Sequence, residues 1–364
     1  MHWEIIKKAE LDSWNEKLKQ TSATLFQYPY YLTGEYSSLF YKSTFIKYVE
    51  KGKEFAFAAI IEIGIFPFKV GVIDDGPIVL QQNFDLQTML KDLKKFSRKR
   101  FYMHLQIRPA NTEFENFLKN DAGFNNDLFF PYHQKEKSDW NIYNQPEEQL
   151  LASFKRQCRR KIVLAGRVPF KFVKLEDAAQ LKDVKELFNQ VTKIKGHKYI
   201  SFKAMLQIYK NGKKHSLCDL YGAYLNDELV NAVFIIKDAL CFYHFTSAML
   251  VKGYKDNESP PAKLHFFIMQ DCFYNEQKEF YNISYGGTHN LVRFKELFNP
   301  VEIKKSPYYT YVINKKALSF FQKTTPEGIG RIRNIFRNIN KHIGGFYQFS
   351  FFLLYIILDY FPIE

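Results

Sequence analysis

The sequence predicts a mixed α/β (α+β) fold built twice, with mixed sheets flanked by helices. Three observations carry this. The chain has 364 residues, and at about 150 residues per domain that length suggests two domains. Hydrophobic residues make up 46%, with 37 Phe and 24 Tyr to fill a core, and charged residues 25%, a balance that excludes disordered and fibrous architectures. Both halves also share one order: adjacent strands, a turn-rich loop, a helix and one further strand. No residue-level identity accompanies that order, so it is a structural rather than a sequence repeat.

The elements follow from local pattern. Residues 55–63 and 66–73 are β-rich runs that read as a hairpin around Gly64. Asp74-Asp75-Gly76-Pro77 is a turn. Residues 86–99 have helical character, and residues 101–107 alternate apolar and polar as a half-buried strand does. Residues 111–146 are turn-rich, with a short strand expected at 140–143. From Pro146, Leu150, Phe154, Cys158 and Ile162 recur every four residues and fall on one helical stripe, leaving Lys155, Arg156, Arg159, Arg160 and Lys161 on the other faces. A further helix carries Leu181, Val184, Phe188 and Val191 and stops near Gly196. Residues 220–225, 229–236 and 240–246 read as an antiparallel meander. Pro260-Pro261 opens an apolar helix to about Tyr274, and residues 280–285 form a strand leading into Gly286-Gly287. The expected organisation is therefore a first domain over 1–145, with 301–325 packing back on it, and a second over 146–300. Residues 326–364 form a separate tail.

Charge narrows the partners. The chain carries 52 Lys and Arg against 38 Asp and Glu, a net +14, a field that attracts phosphates, nucleic acid or an anionic membrane. The tail concentrates it: Arg331, Arg333, Arg337 and Lys341 precede a nearly all-apolar run at 343–358. That run is shorter than the roughly 20 residues of a spanning helix. It fits an interfacial anchor on the inner membrane face, or else a terminal helix packed on protein. The four cysteines include no Cys-x-x-Cys pair, so no metal site is expected and a reducing cytosol suits them. The N-terminus lacks a signal-peptide pattern, and a cytoplasmic protein, peripheral on the inner membrane, is expected.

Candidate chemistry clusters in the second half. Arg156, Arg159, Arg160, Lys161 and Arg167 have almost no acids nearby and suit an anion such as a diphosphate, though a solvated helical face is the plain alternative. Gly286-Gly287-Thr288-His289 follows a strand beside Arg293 and Lys295, where a loop of that kind allows close backbone approach to a substrate and a nearby cation stabilises negative charge. His197 is a candidate base, or a surface histidine. Hydrolase, zinc-protease and P-loop motifs are absent.

These residues carry a resemblance. The stretch LLASFKRQCRRKI at 150–162 resembles the helix opening the second domain of FemABX-type peptidyltransferases and related GNAT-like acyltransferases. Lys195-Gly196-His197, the strands between Tyr221 and Thr246, Pro260-Pro261 and YNISYGG at 281–287 follow in the family's order. Arg293-Phe294-Lys295-Glu296-Leu297-Phe298-Asn299-Pro300 is similar to its Phe-Lys-x-x-Phe-Gly signature, and Phe26-Gln27 and Asp75-Gly76-Pro77 are similar to first-domain landmarks. The resemblance covers about residues 20–315 and is stronger in the second half.

It implies two tandem GNAT-like domains and acyl transfer to an amine or hydroxyl of a cell-envelope precursor, of peptidoglycan or of a surface polysaccharide. It implies no bound cofactor, an aminoacyl-tRNA or acyl-CoA donor, and a nucleotide- or lipid-linked anionic acceptor. It places Phe294 and Lys295 at the active site. Arg156, Arg160 and Arg293 would hold substrate phosphates beside Tyr285, Gly286 and Gly287, with Lys295 and the glycine amides facing the oxyanion and His197 or the substrate taking the proton. Three features depart from the family: the tRNA-engaging helical hairpin is missing, Ser284-Tyr285 stands where an acid is usual, and Asn299-Pro300 where glycine is common. The acetyl-CoA pyrophosphate signature is absent too, so the donor stays open between the two. A non-catalytic, membrane-associated adaptor binding the same anionic precursors is the alternative.

Overall fold

The computed structural model describes residues 1–35, 41–64, 69–81, 85–125, 138–195, 202–250 and 258–316. The described residues form two compact units, one drawn from residues 1–5, 38–136 and 306–316, the other from residues 6–37 and 137–305.

The first unit is built on an eight-stranded sheet. Its strands are β1 (His2–Ile5), β2 (Tyr41–Glu50), β3 (Lys53–Ile63), β4 (Lys69–Ile73), β5 (Ile78–Val79), β6 (Tyr102–Ile107), β7 (Phe124–Asn125) and, from the far end of the chain, β15 (Tyr309–Val312). The order is β1-β2-β3-β4-β6-β15-β7, with β5 against β3. Among the described strands of this sheet only β4 and β6 run parallel, joined by helix Leu86–Lys99. Asp85 caps that helix, accepting from the Gln87 amide at 2.8 Å, and its apolar stripe of Met89, Leu90 and Leu93 is buried in the core. The alternation in β6 predicts one wet face, yet all six residues are buried, His104 and Gln106 included. A strand flanked on both edges and covered on both faces hides its polar side chains as completely as its apolar ones.

The second unit holds a seven-stranded sheet ordered β14-β8-β13-β12-β11-β10-β9. Its strands are β8 (Ser138–Tyr143), β9 (Lys171–Leu175), β10 (Cys218–Leu225), β11 (Glu228–Lys237), β12 (Cys241–Met249), β13 (Phe280–Asn282) and β14 (Val301–Lys304). The expected meander is present, with β10, β11 and β12 antiparallel. Asn226 and Asp227, both at positive φ (50° and 60°), make the tight β10–β11 turn. β12 and β13 are parallel and joined by helix Pro261–Gln270, which opens on the proline expected there. The repeated order is thus real: three antiparallel strands, a helical crossover and a parallel strand occur in both units.

Three domain boundaries and one helix differ from the sequence expectation. Residues 6–37 belong to the second unit, not the first. Tyr30 Oη donates to the Lys237 carbonyl at 2.5 Å, and the Leu25 amide donates to Asp238 at 3.2 Å. β8 also pairs in the second sheet, so the division falls near residue 137 rather than 145, and among the described residues after 300 only β15 joins the first sheet. The single stripe through Leu150 and Ile162 is two helices, Glu147–Ser153 and Arg156–Ala165. Phe154 is extended between them and the Lys155 amide donates to the Leu297 carbonyl at 3.0 Å, although all four stripe residues stay buried. The tail at 326–364 lies outside the described residues. No helix among the described residues is long and apolar enough to cross a membrane.

Candidate active site

In the second unit a cleft of about 360 Å³ opens over one face of β11 and β12. Its wall comes from helix Pro261–Gln270, from Ile283 after β13, and from helix His289–Glu296. The floor carries Asn231 and Val233 from β11, and His244, Ser247 and Met249 from β12. Simple alternation would send His244 and Ser247 to opposite faces. The register reads Phe234 against Thr246 and then Ile235 against His244, so Phe245 is an extra, bulged residue. That bulge turns His244 onto the cleft face, while Phe245 packs edge-on against Phe234 at 5.7 Å.

Lys295 and Phe294 both line the cleft. Lys295 is buried, and its ammonium donates to the Ser284 carbonyl at 3.0 Å, Ser284 Oγ at 2.9 Å and the Gly286 carbonyl at 2.9 Å. Three bonds take up all three ammonium donors. Burial lowers its pKa to about 8, so it remains mostly charged at neutral pH. The turn it ties is conformationally demanding, with Ser284, Gly286 and Gly287 at positive φ of 59°, 80° and 119°. A Cβ on Gly287 would stand 2.8 Å from Leu291 Cδ2, so glycine is needed there for space as well as for φ.

Two histidines with no role expected from the sequence complete the cleft, His244 on its floor and His265 on its wall. His244 and His265 meet edge-to-face with ring centroids 5.0 Å apart, and His265 Nδ1 lies 2.7 Å from the Tyr281 hydroxyl. Neither His244 ring nitrogen has a side-chain partner among the described residues, only the main chain of Ile283 nearby. Burial, and then the charge of Lys295, lowers the His244 pKa to about 4. Burial, His244 and Lys295 hold His265 well below the usual imidazole range. Both rings are neutral at physiological pH.

Other expected site residues lie elsewhere. Arg156, Arg160 and Arg293 are exposed and do not line the cleft, although Lys161 of the same basic run does. Tyr285 is exposed and packs edge-on against Trp140 at 5.2 Å, again outside the cleft lining. Gly286 and Gly287 shape the turn rather than the cleft wall, because their φ values and the Lys295 bond commit them to it. His197 lies outside the described residues. Asp219, Asp271 and Glu276 converge as a metal ligand set would. Their charge is met instead by Lys174, 2.8 Å from Asp219, and by Lys237, 2.5 Å from Glu276.

No family model and no curated protein matches the chain. Solved structures do. FemX matches with a TM-score of 0.71 and 14% identity over 88% of this chain and 99% of its own. A protein of unknown function from Bacteroides thetaiotaomicron gives 0.60 and 12%, over 85% of this chain and 98% of its own. The C-terminal domain of a protein named as a lysylphosphatidylglycerol synthetase from Agrobacterium fabrum gives 0.52 and 13%, over 88% and 97%. At these identities the likeness is one of fold: the chain shares the fold of FemX.

Proposed function

We propose that the protein is an acyltransferase that moves an aminoacyl or acyl group onto an amine or hydroxyl of an anionic cell-envelope precursor, in the cleft of the second unit. The observation that carries this is the buried Lys295 ammonium, fixed by Ser284 and Gly286 at the wall of the cleft. A preorganised cation in a site shielded from water is worth far more to a developing oxyanion than the same charge in bulk solvent. Because the Lys295 protons are committed to the turn, it acts through its charge and not as a direct donor. The acceptor nitrogen or oxygen attacks the acyl carbon, charge collects on the acyl oxygen within the Lys295 field, and the bond to the leaving oxygen or sulfur then breaks. The FemX-like fold supports the reading, as does the net charge of +14, which favours anionic substrates and an anionic membrane surface. Lys161 at the cleft is the cation best placed to meet a substrate phosphate there.

The test offers the purified full-length protein pooled aminoacyl-tRNAs or acetyl-CoA together with UDP-linked muramyl pentapeptide, and reads acceptor mass. A gain of one acyl residue with either donor is expected. Unchanged acceptor and undiminished donor with both would contradict the proposal for these substrates.

A further inference from the structure

We propose that His244 is the proton-carrying residue of this cleft and that His265, held by the Tyr281 hydroxyl, positions it. The inference rests on the acyl-transfer reading above and deepens it. The β12 bulge brings His244 to the cleft face against the strand's own alternation. The His244 ring has a main-chain hydrogen bond at Ile283 and no side-chain partner among the described residues, which leaves a ring nitrogen available to a ligand or a reaction. The edge-to-face contact with His265 at 5.0 Å orients the His244 ring, and Tyr281 holds His265 at 2.7 Å. Burial keeps the Tyr281 phenol protonated. Its hydrogen bond with His265 Nδ1 ties the His265 ring to a single tautomer. The charged and titratable groups around His244 are Lys295 from helix His289–Glu296, Lys161 from helix Arg156–Ala165, His265 from helix Pro261–Gln270 and Tyr281 from β13.

The chemistry balances without any further reactant. As the acceptor nitrogen forms its bond to the acyl carbon it becomes positively charged and gives one proton to a His244 ring nitrogen. His244 passes that proton to the leaving ester oxygen or thioester sulfur as the bond to the acyl carbon breaks. Negative charge on the acyl oxygen offsets the Lys295 field while it exists, so His244 holds a proton most readily at the tetrahedral stage. When the carbonyl reforms, Lys295 again disfavours the imidazolium, which makes it a strong acid toward the leaving group.

The test measures kcat and KM against pH for wild type, His244→Gln and Tyr281→Phe, with whichever of pooled aminoacyl-tRNA or acetyl-CoA the wild type uses. Near-UV circular dichroism checks that each variant is folded. His244→Gln is expected to lower kcat by at least about 100-fold with KM within about threefold. Tyr281→Phe, which keeps the ring and removes only the hydroxyl, is expected to lower kcat by about tenfold and move the acid limb of its pH profile. Histidine 15N NMR of the unliganded protein supplies a readout without turnover: His244 neutral at neutral pH, and His265 as a single tautomer that Tyr281→Phe mixes. A His244→Gln variant at wild-type kcat, a Tyr281→Phe pH profile that does not move, or a charged His244 at neutral pH overturns the proposal alone. A wild type silent with both donors overturns the transfer reading and this proposal with it.

Discussion

At the scale of single residues, the cleft is governed by one charge and the groups that feel it. Burial is the larger cause of the depression at His244 and His265, and Lys295 adds to it through space, so Lys295→Met should raise the His244 pKa above about 4 while burial keeps it below the ordinary 6.5. Histidine 15N NMR across the acid range checks this. The same depression has a stability consequence. Between 6.5 and about 4 the unfolded chain binds more protons at His244 than the folded one does, so folding stability falls as pH drops through that window and levels off below it. Thermal unfolding should show that loss, and His244→Gln should flatten part of it. Lys295 and Phe294 were legible because a family-like Phe-Lys pair follows a glycine turn. His265 left a fainter sign, a lone polar residue inside an apolar helical run. His244 left none, because its placement depends on a bulge whose register is set by the neighbouring strand. The exposed arginines misled for a related reason: a run of cations in sequence does not say which of its faces meets a cleft.

At the scale of elements, strength of local pattern decided what could be read. Helix Leu86–Lys99 was legible end to end because its amphipathic stripe and its Asp85 cap agree. The break at Phe154 was invisible, since it is held by a hydrogen bond from Lys155 to Leu297, more than a hundred residues away in sequence. The turn after β13 should be intolerant of change. Gly287→Ala would place a Cβ against Leu291 at a φ of 119°, and a loss of roughly 1–3 kcal/mol in chemical denaturation is expected. In the first sheet, Glu62 on β3 is buried against Lys69 at 2.6 Å, Arg100 at 2.5 Å and the Tyr102 hydroxyl at 2.7 Å. Burial alone would raise its pKa, but these bonds outweigh burial and hold it at about 2. Glu62→Gln leaves two cations without their carboxylate, and a cost of roughly 3–5 kcal/mol is expected from the same measurement. In wild type this contribution is present above the ordinary 4.5 and lost as pH falls toward about 2.

At the scale of the whole molecule, the duplicated order was readable and its boundaries were not. Counting strands and helices reveals the repeat, but only pairing reveals that residues 6–37 and β8 belong to the second unit while β15 returns to the first. The cysteine reading extends to reactivity. All four thiols are free and buried, and burial is the leading cause that raises each pKa, that of Cys158 to about 12. Ellman's reagent should therefore find no reactive thiol in the native protein and four in denaturant. The central claim is that acyl transfer occurs in the cleft beside Lys295. Its most direct test compares transfer rates of wild type and Lys295→Met with the donor and acceptor that the wild type uses, both proteins matched for folding by near-UV circular dichroism. A fall of at least about 100-fold in kcat, with donor binding retained, is the expected result. A folded Lys295→Met protein that transfers at the wild-type rate would contradict it.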